Sequence, residues 1–117
     1  MTDQCIMNVL NRAEVIDHLS RRGAASDVVA AELDTLGLRF EPLSIEVADQ
    51  AGRMRSRHYD RSRRPLSMAD CVALATAMKL GSALATSDVH LAQTGVEVGC
   101  PVVEIANSKG VYPLRPT

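Results

Sequence analysis

The stretch Ser67-Met68-Ala69-Asp70-Cys71-Val72-Ala73-Leu74-Ala75-Thr76-Ala77-Met78-Lys79-Leu80-Gly81-Ser82-Ala83-Leu84-Ala85-Thr86-Ser87-Asp88 decides how the rest of the chain is read. From Ser67 to Leu80 it is apolar nearly all round, with Met68, Val72, Leu74, Ala75 and Met78 leaving no polar face. A helix of that kind belongs in an interior. Gly81 stops it, Ala83 to Thr86 reads as a buried strand, and Asp88 starts a short helix reaching about Thr94. Downstream, Pro101 to Ile105 is a last strand, and Asn107 to Thr117 reads as a loose tail with two prolines.

Upstream the same alternation continues. Cys5 to Leu10 is short, apolar and partly β-branched, which suits a buried strand. Asn11 is expected to open a helix with Val15, Ile16 and Leu19 on one face, ending near Arg22 before Gly23. A second helix from about Ser26 is expected to bury Val29, Leu33 and Leu36, with Gly37 as its C-terminal cap. Phe40 to Leu43 is a short strand that Pro42 pushes to a sheet edge. Val47, Ala51 and Met54 mark a third helix, which runs into an Arg-rich segment and ends before Pro65. Strands alternating with helices predict an α/β layer fold with a mainly parallel sheet. In such sheets active sites gather where strands end and helices begin.

A chain of 117 residues predicts one domain, 1–117, with the tail from about 107. With 46% hydrophobic and 23% charged residues it has the make-up of a globular protein rather than a disordered one. One Phe, two Tyr and no Trp make the core aliphatic and argue against a base-stacking platform. Cys5, Cys71 and Cys100 are an odd, widely spaced set without a CxxC, which argues against a disulfide framework or zinc knuckle and for a reducing cytosol. No signal peptide or membrane span is visible, so a cytoplasmic protein is expected.

The formal net charge of −1 conceals a polarity. Between Arg53 and Arg64 six arginines stand against Asp60 alone, a local charge of +5, and the remainder of the chain sums to −6. Arginine forks onto phosphate oxygens. Taken alone, the run is a solvated helix end. Beside an acidic site it becomes a patch that steers a polyanion, with Arg57, Arg61, Arg63 and Arg64 as candidate contacts to backbone phosphates.

Three carboxylates stand at helix entrances: Glu14 in Asn11-Arg12-Ala13-Glu14, Asp70 in Ser67-Met68-Ala69-Asp70, and Asp88 in Thr86-Ser87-Asp88. Each taken singly is a cap: Asn-x-x-Glu and Ser-x-x-Asp are capping-box spacings, and Asp88 suits its own helix start. Together they suggest more. Strands 5–10 and 83–86, if parallel in one sheet, bring Glu14 and Asp88 to one edge, and Asp70 heads a helix with no solvated side. Clustered acids raise one another's pKa unless a cation joins them. Oxygen donors without His or Cys suit Mg²⁺ or Mn²⁺, ions that activate water against a phosphodiester. His18, His58 and His90 share no ligand spacing, and there is no Gly-rich phosphate loop or nucleophile elbow. Cys71 reads as a small core residue.

The segments Asn11-Arg12-Ala13-Glu14-Val15, Pro65-Leu66-Ser67-Met68-Ala69-Asp70-Cys71 and Ala85-Thr86-Ser87-Asp88, in that order, resemble the PIN-domain ribonucleases, specifically the VapC-type toxins of toxin–antitoxin pairs. The resemblance covers nearly the whole chain. It implies a three-layer PIN-like fold, with a mainly parallel central sheet flanked by helices, and Mg²⁺- or Mn²⁺-dependent endoribonuclease activity. It also implies inhibition by a cognate antitoxin and a homodimer. Carried over residue by residue, Glu14, Asp70 and Asp88 would be the catalytic, metal-binding acids, supported by the polar groups of Asn11, Ser67 and Thr86. The family pattern also has an earlier strand with another essential Asp, and here only Asp3 precedes the first strand, at its wrong end, so that role is not carried onto Asp3. His90 stands where some members have a further acid. The expectation is therefore an N-terminally truncated PIN-like domain. Its alternative is a catalytically inactive remnant acting as a protein-binding module.

Overall fold

A computed structural model describes residues 5–116; Asp3 lies outside them. The chain is mixed α/β, with five helices and four short parallel strands among the described residues. It divides into two compact units, one up to Leu43 and one from Ser44 onward.

The first unit runs β1 (Ile6–Asn8), α1 (Val9–Arg21), α2 (Ser26–Thr35) and β2 (Arg39–Glu41). β1 and β2 pair in parallel, with Ile6 opposite Arg39 and Asn8 opposite Glu41. The apolar run expected to stay extended to Leu10 stops earlier. Asn8, only 2% exposed, takes a backbone hydrogen bond from Leu10 on its Oδ1 at 2.9 Å and donates Nδ2 to the Pro42 carbonyl at 3.2 Å. A first helical turn needs an acceptor for its orphan N–H groups, and Asn8 supplies it. Helix α1 therefore starts at Val9, and Asn11 is its third residue instead of its cap. Helix α2 buries Val29 and Leu33 as expected. Leu36 does not follow them: the helix ends at Thr35, so the i+7 position falls beyond the last turn and is 66% exposed. Gly37 then turns the chain at φ +72°. Arg12 ties the unit together, bonding Asp34 Oδ1 at 2.8 Å and lying 4.6 Å from the centre of the Phe40 ring.

The second unit runs α3 (Ile45–His58), α4 (Met68–Leu80), β3 (Leu84–Thr86), α5 (Val89–Glu97) and β4 (Val102–Glu104). Ser44 caps α3, whose stripe of Val47, Ala51 and Met54 is buried. Helix α4 is the interior helix its composition demands: Ala69, Cys71, Val72 and every residue from Leu74 to Ala77 are buried. It closes on Gly81 in the left-handed conformation at φ +62°. β3 and β4 pair in parallel, with Leu84 opposite Val102 and Thr86 opposite Glu104. Helix α5 crosses between them and must come close. A Cβ on Gly95 would stand 2.9 Å from Val102 Cγ2, with Leu84 and Leu74 next nearest, so the packing calls for glycine there. The strands are hydrogen-bonded in two pairs, β1 with β2 and β3 with β4, each pair inside one unit.

After β4 the chain carries no further helix or strand among the described residues. Asn107 Oδ1 accepts from the backbone of Lys109 and Val111, and Glu104 Oε1 accepts from Leu114 N at 2.8 Å. Among the described residues, no helix is long and apolar enough to cross a membrane.

Candidate functional site

Two of the three acids stand where helices of the second unit begin. Asp70 is the third residue of α4. Its Oδ2 accepts from Ser67 N at 3.1 Å, while Ser67 Oγ accepts from Asp70 N at 3.0 Å, a reciprocal capping box. Asp88 caps α5: its Oδ1 accepts from Leu91 N at 2.8 Å, and its own N–H donates to the buried Thr86 Oγ1 at 3.0 Å. Ser67 and Thr86 thus each hold the local backbone that aims one carboxylate. Each of these two bonds occupies part of a carboxylate that has about four acceptor positions.

Ser82 N bonds Ala77 O at 2.9 Å, and Leu74 and Leu84 both flank Gly95. Helix α4 thus closes directly into β3, and the two elements share the packing around Gly95. Glu14 and Asn11 belong to the first unit. They lie on α1, where Glu14 is exposed and both line a shallow depression with Asp17 and His18. Within neither unit do the described residues gather three His, Cys, Asp or Glu side chains closely enough to hold a metal ion. The donor set of Asp70 and Asp88 is nevertheless oxygen only. That is the chemistry of Mg²⁺, which keeps several waters and takes one or two carboxylates instead of a full protein cage.

The charge of Asp70 is felt locally. Burial pushes the neighbouring Cys71 thiol up, Asp70 pushes it further, and the Arg55 guanidinium opposes both. Cys71 is fully buried, as its place in the interior helix implied, and Cys5, Cys71 and Cys100 are all free thiols. His90, two residues after Asp88, has a buried Nδ1 without a hydrogen-bond partner among the described residues.

The Arg-rich segment separates into two kinds of side chain. Arg57, Arg61 and Arg63 are exposed, and among the described residues they meet no acid. Arg64 is committed elsewhere: its fork grips both carboxylate oxygens of Glu97, the last residue of α5, with Nη2 to Oε1 at 2.9 Å. Asp60 Oδ1 accepts from the backbone of Ser62 and Arg63 at 2.9 Å each. Asp60, through the N–H groups of Arg63 and then Ser62, and Glu97, through Arg64, are both held below the usual carboxylate range. A carboxyl that binds protons less readily when folded stabilises the fold above its unfolded value, and that contribution is lost as pH falls through the folded value. Acidification from neutral to below the ordinary carboxylate range should therefore loosen the turn at 59–66. Protection of the Ser62 and Arg63 amides, taken relative to the intrinsic exchange rate at each pH, should fall before that of the α4 amides; equal protection at both pH values would refute it.

Three residues that bear on this region carry unequal signals in the sequence. Asn8 is detectable, because an Asn between an apolar strand and a helical period is an N-cap pattern. Asp60 is detectable as an Asx turn onto residues two and three ahead. Glu97 is not, since its partner is 33 positions away.

The protein-family model described as PIN domain matches residues 1–97 of the chain. No curated protein matches it.

Proposed function

Because the chain belongs to the PIN-domain family, generally a nuclease fold, we propose that it is a metal-dependent endoribonuclease of the VapC toxin type. The observation that carries this reading is the repeated device at the entrances of α4 and α5. In each, a hydroxyl residue (Ser67 or Thr86) fixes the backbone beside an aspartate (Asp70 or Asp88), in a chain whose family is a nuclease fold.

In this proposal Asp70 and Asp88 hold Mg²⁺ or Mn²⁺, and Glu14 is carried as the third metal-binding acid that the family resemblance implies. When bound, the ion supplies an acidified water and offsets charge developing on the phosphodiester. The chain's own residues do the rest. The Ser67 and Thr86 hydroxyls hold the backbone N–H groups of the two aspartates, and the Ser67 and Leu91 N–H groups keep the carboxylates from rotating away, which preserves the geometry without moving a proton. Asn11, one helical turn before Glu14, supports that carboxylate. Arg57, Arg61 and Arg63 hold the RNA backbone through charge-assisted bonds, so the scissile phosphate is presented rather than captured by diffusion. A cognate antitoxin that fills the acidic site, a homodimer and a cytoplasmic setting complete the proposal.

The test is cleavage of RNA by the full chain with Mg²⁺ or Mn²⁺, its loss on chelation, and its return on adding metal back. A parallel thermal melt should show stabilisation by Mg²⁺, because an ion that binds only the folded state raises its stability. Inert RNA with either metal and an unmoved melt would reject the nuclease and leave a non-catalytic protein-binding module.

A further inference from the structure

The turn between α3 and α4 is more firmly built than an exposed run of arginines needs. Asp60 and Arg64 exchange two backbone hydrogen bonds of 2.9 Å, forming an antiparallel bridge. The Asp60 carboxylate closes the tip by accepting from Ser62 N and Arg63 N. At the base, Arg64 forks onto Glu97, and His58 Nδ1 stands 3.8 Å from the same carboxylate. On the other side Arg55 donates Nε to the Leu66 carbonyl at 2.9 Å and stacks 4.2 Å from the centre of the Tyr59 ring. A bidentate Arg–carboxylate pair sets orientation as well as attraction. The side chains left over are Arg61 and Arg63 at the tip and Arg57 in the last turn of α3.

We propose that Arg64, Glu97 and Asp60 are positioning residues, which hold the turn at 59–66 rigid so that Arg61 and Arg63, with Arg57, present ordered guanidinium groups to the phosphates of a single-stranded RNA. This rests on the nucleic-acid reading above and gives the arginines of the cluster different roles, since Arg64 locks the turn and does not itself contact RNA. The physical reason is entropic. A loop that is already ordered loses little freedom when its arginines meet phosphates, whereas a loose one must be ordered at the moment of binding.

Glu97→Gln gives the decisive measurement, because two explanations predict opposite signs. The substitution removes a negative charge beside the patch, so attraction alone predicts equal or tighter RNA binding. Loss of the lock predicts binding weaker by roughly tenfold, from ordering about one more residue. The assay is equilibrium binding of the full chain to a fluorescein-labelled, mixed-sequence single-stranded RNA in a chelator, so that no cleavage intervenes. Arg61→Ala with Arg63→Ala should make the salt dependence shallower, by about 1.4 in log–log slope for two phosphates. Glu97→Gln should lower affinity with the slope unchanged. The reversed pair, Arg64→Glu with Glu97→Arg, keeps the net charge and should restore affinity to within about twofold, the coupling expected of residues in direct contact. Equal or tighter binding by Glu97→Gln, or no recovery in the reversed pair, overturns the proposal alone. No binding by the unaltered chain overturns it together with the nucleic-acid reading.

Discussion

Asp70→Asn and Asp88→Asn are each expected to lower metal-dependent RNA cleavage by more than about a hundredfold, because even outer-shell partners of a metal ligand are worth roughly 10–100-fold. The fold should survive both changes. Asn is as good an N-cap as Asp, so an amide oxygen at position 88 can still accept from Leu91 N. At position 70 an amide oxygen can still accept from Ser67 N, and the loss is confined to the favourable placing of a negative charge at a helix N-terminus, about 0.3–1 kcal/mol. The melting temperature should therefore fall by no more than about 5 °C. Asp70→Asn carries an internal check that its charge is gone: the Cys71 thiol, which Asp70 pushes up, should titrate lower. Cleavage assays at saturating Mg²⁺, read beside circular dichroism, decide the matter. Unchanged cleavage in both variants would remove the two aspartates from the mechanism.

Leu74→Ala should produce the largest loss of stability, about 3–4 kcal/mol, through the lost transfer free energy and the cavity left behind. Leu74 is 0% exposed in the middle of α4, and its Cδ1 lies beside Gly95 together with Leu84 and Val102. The helix and both strands of the second unit meet around that side chain, so no flexible neighbour is placed to refill the space. For a chain of this length the loss corresponds to a fall of roughly 10–15 °C in Tm. Leu36→Ala is the matched control. That side chain is 66% exposed past the end of α2 and should cost less than about 0.5 kcal/mol. Chemical denaturation of both variants checks the pair, and similar losses would contradict the placement of the core.

Helix α4 is legible in the sequence almost residue for residue. The Ser67 cap, the apolar circumference and the Gly81 stop are all local, and each is a rule about one turn of helix. The stripe of Val47, Ala51 and Met54 is equally plain, because burial at three- and four-residue spacing leaves a periodic trace. The β1–α1 junction is harder: the strand ends at Asn8, short of the Leu10 that the apolar run suggests. Such a run looks the same in a strand and in a first helical turn until the capping side chain is identified, and the Asn8 side chain caps Leu10 N ahead of Asn11. Leu36 departs from expectation for the complementary reason: periodicity continues on paper after a helix has ended in space.

Composition, period and capping residues were enough to establish an α/β chain with an interior helix and parallel strands, and of the three acids they put at helix entrances Asp70 and Asp88 stand there, while Glu14 is the sixth residue of α1. The parallel strands follow from the alternation of strand and helix along the chain, and the other features are written within about four positions of one another, the reach of a helical turn. Folding alone settled the pairing of Arg64 with Glu97, the glycine wedge of α5 against Val102, and the division of the arginines into those that build a turn and those left exposed. Arg64 and Glu97 lie 33 positions apart along the chain, and Gly95 and Val102 sit on different elements. An attraction between them leaves no mark on local spacing and exists only once packing has closed the distance.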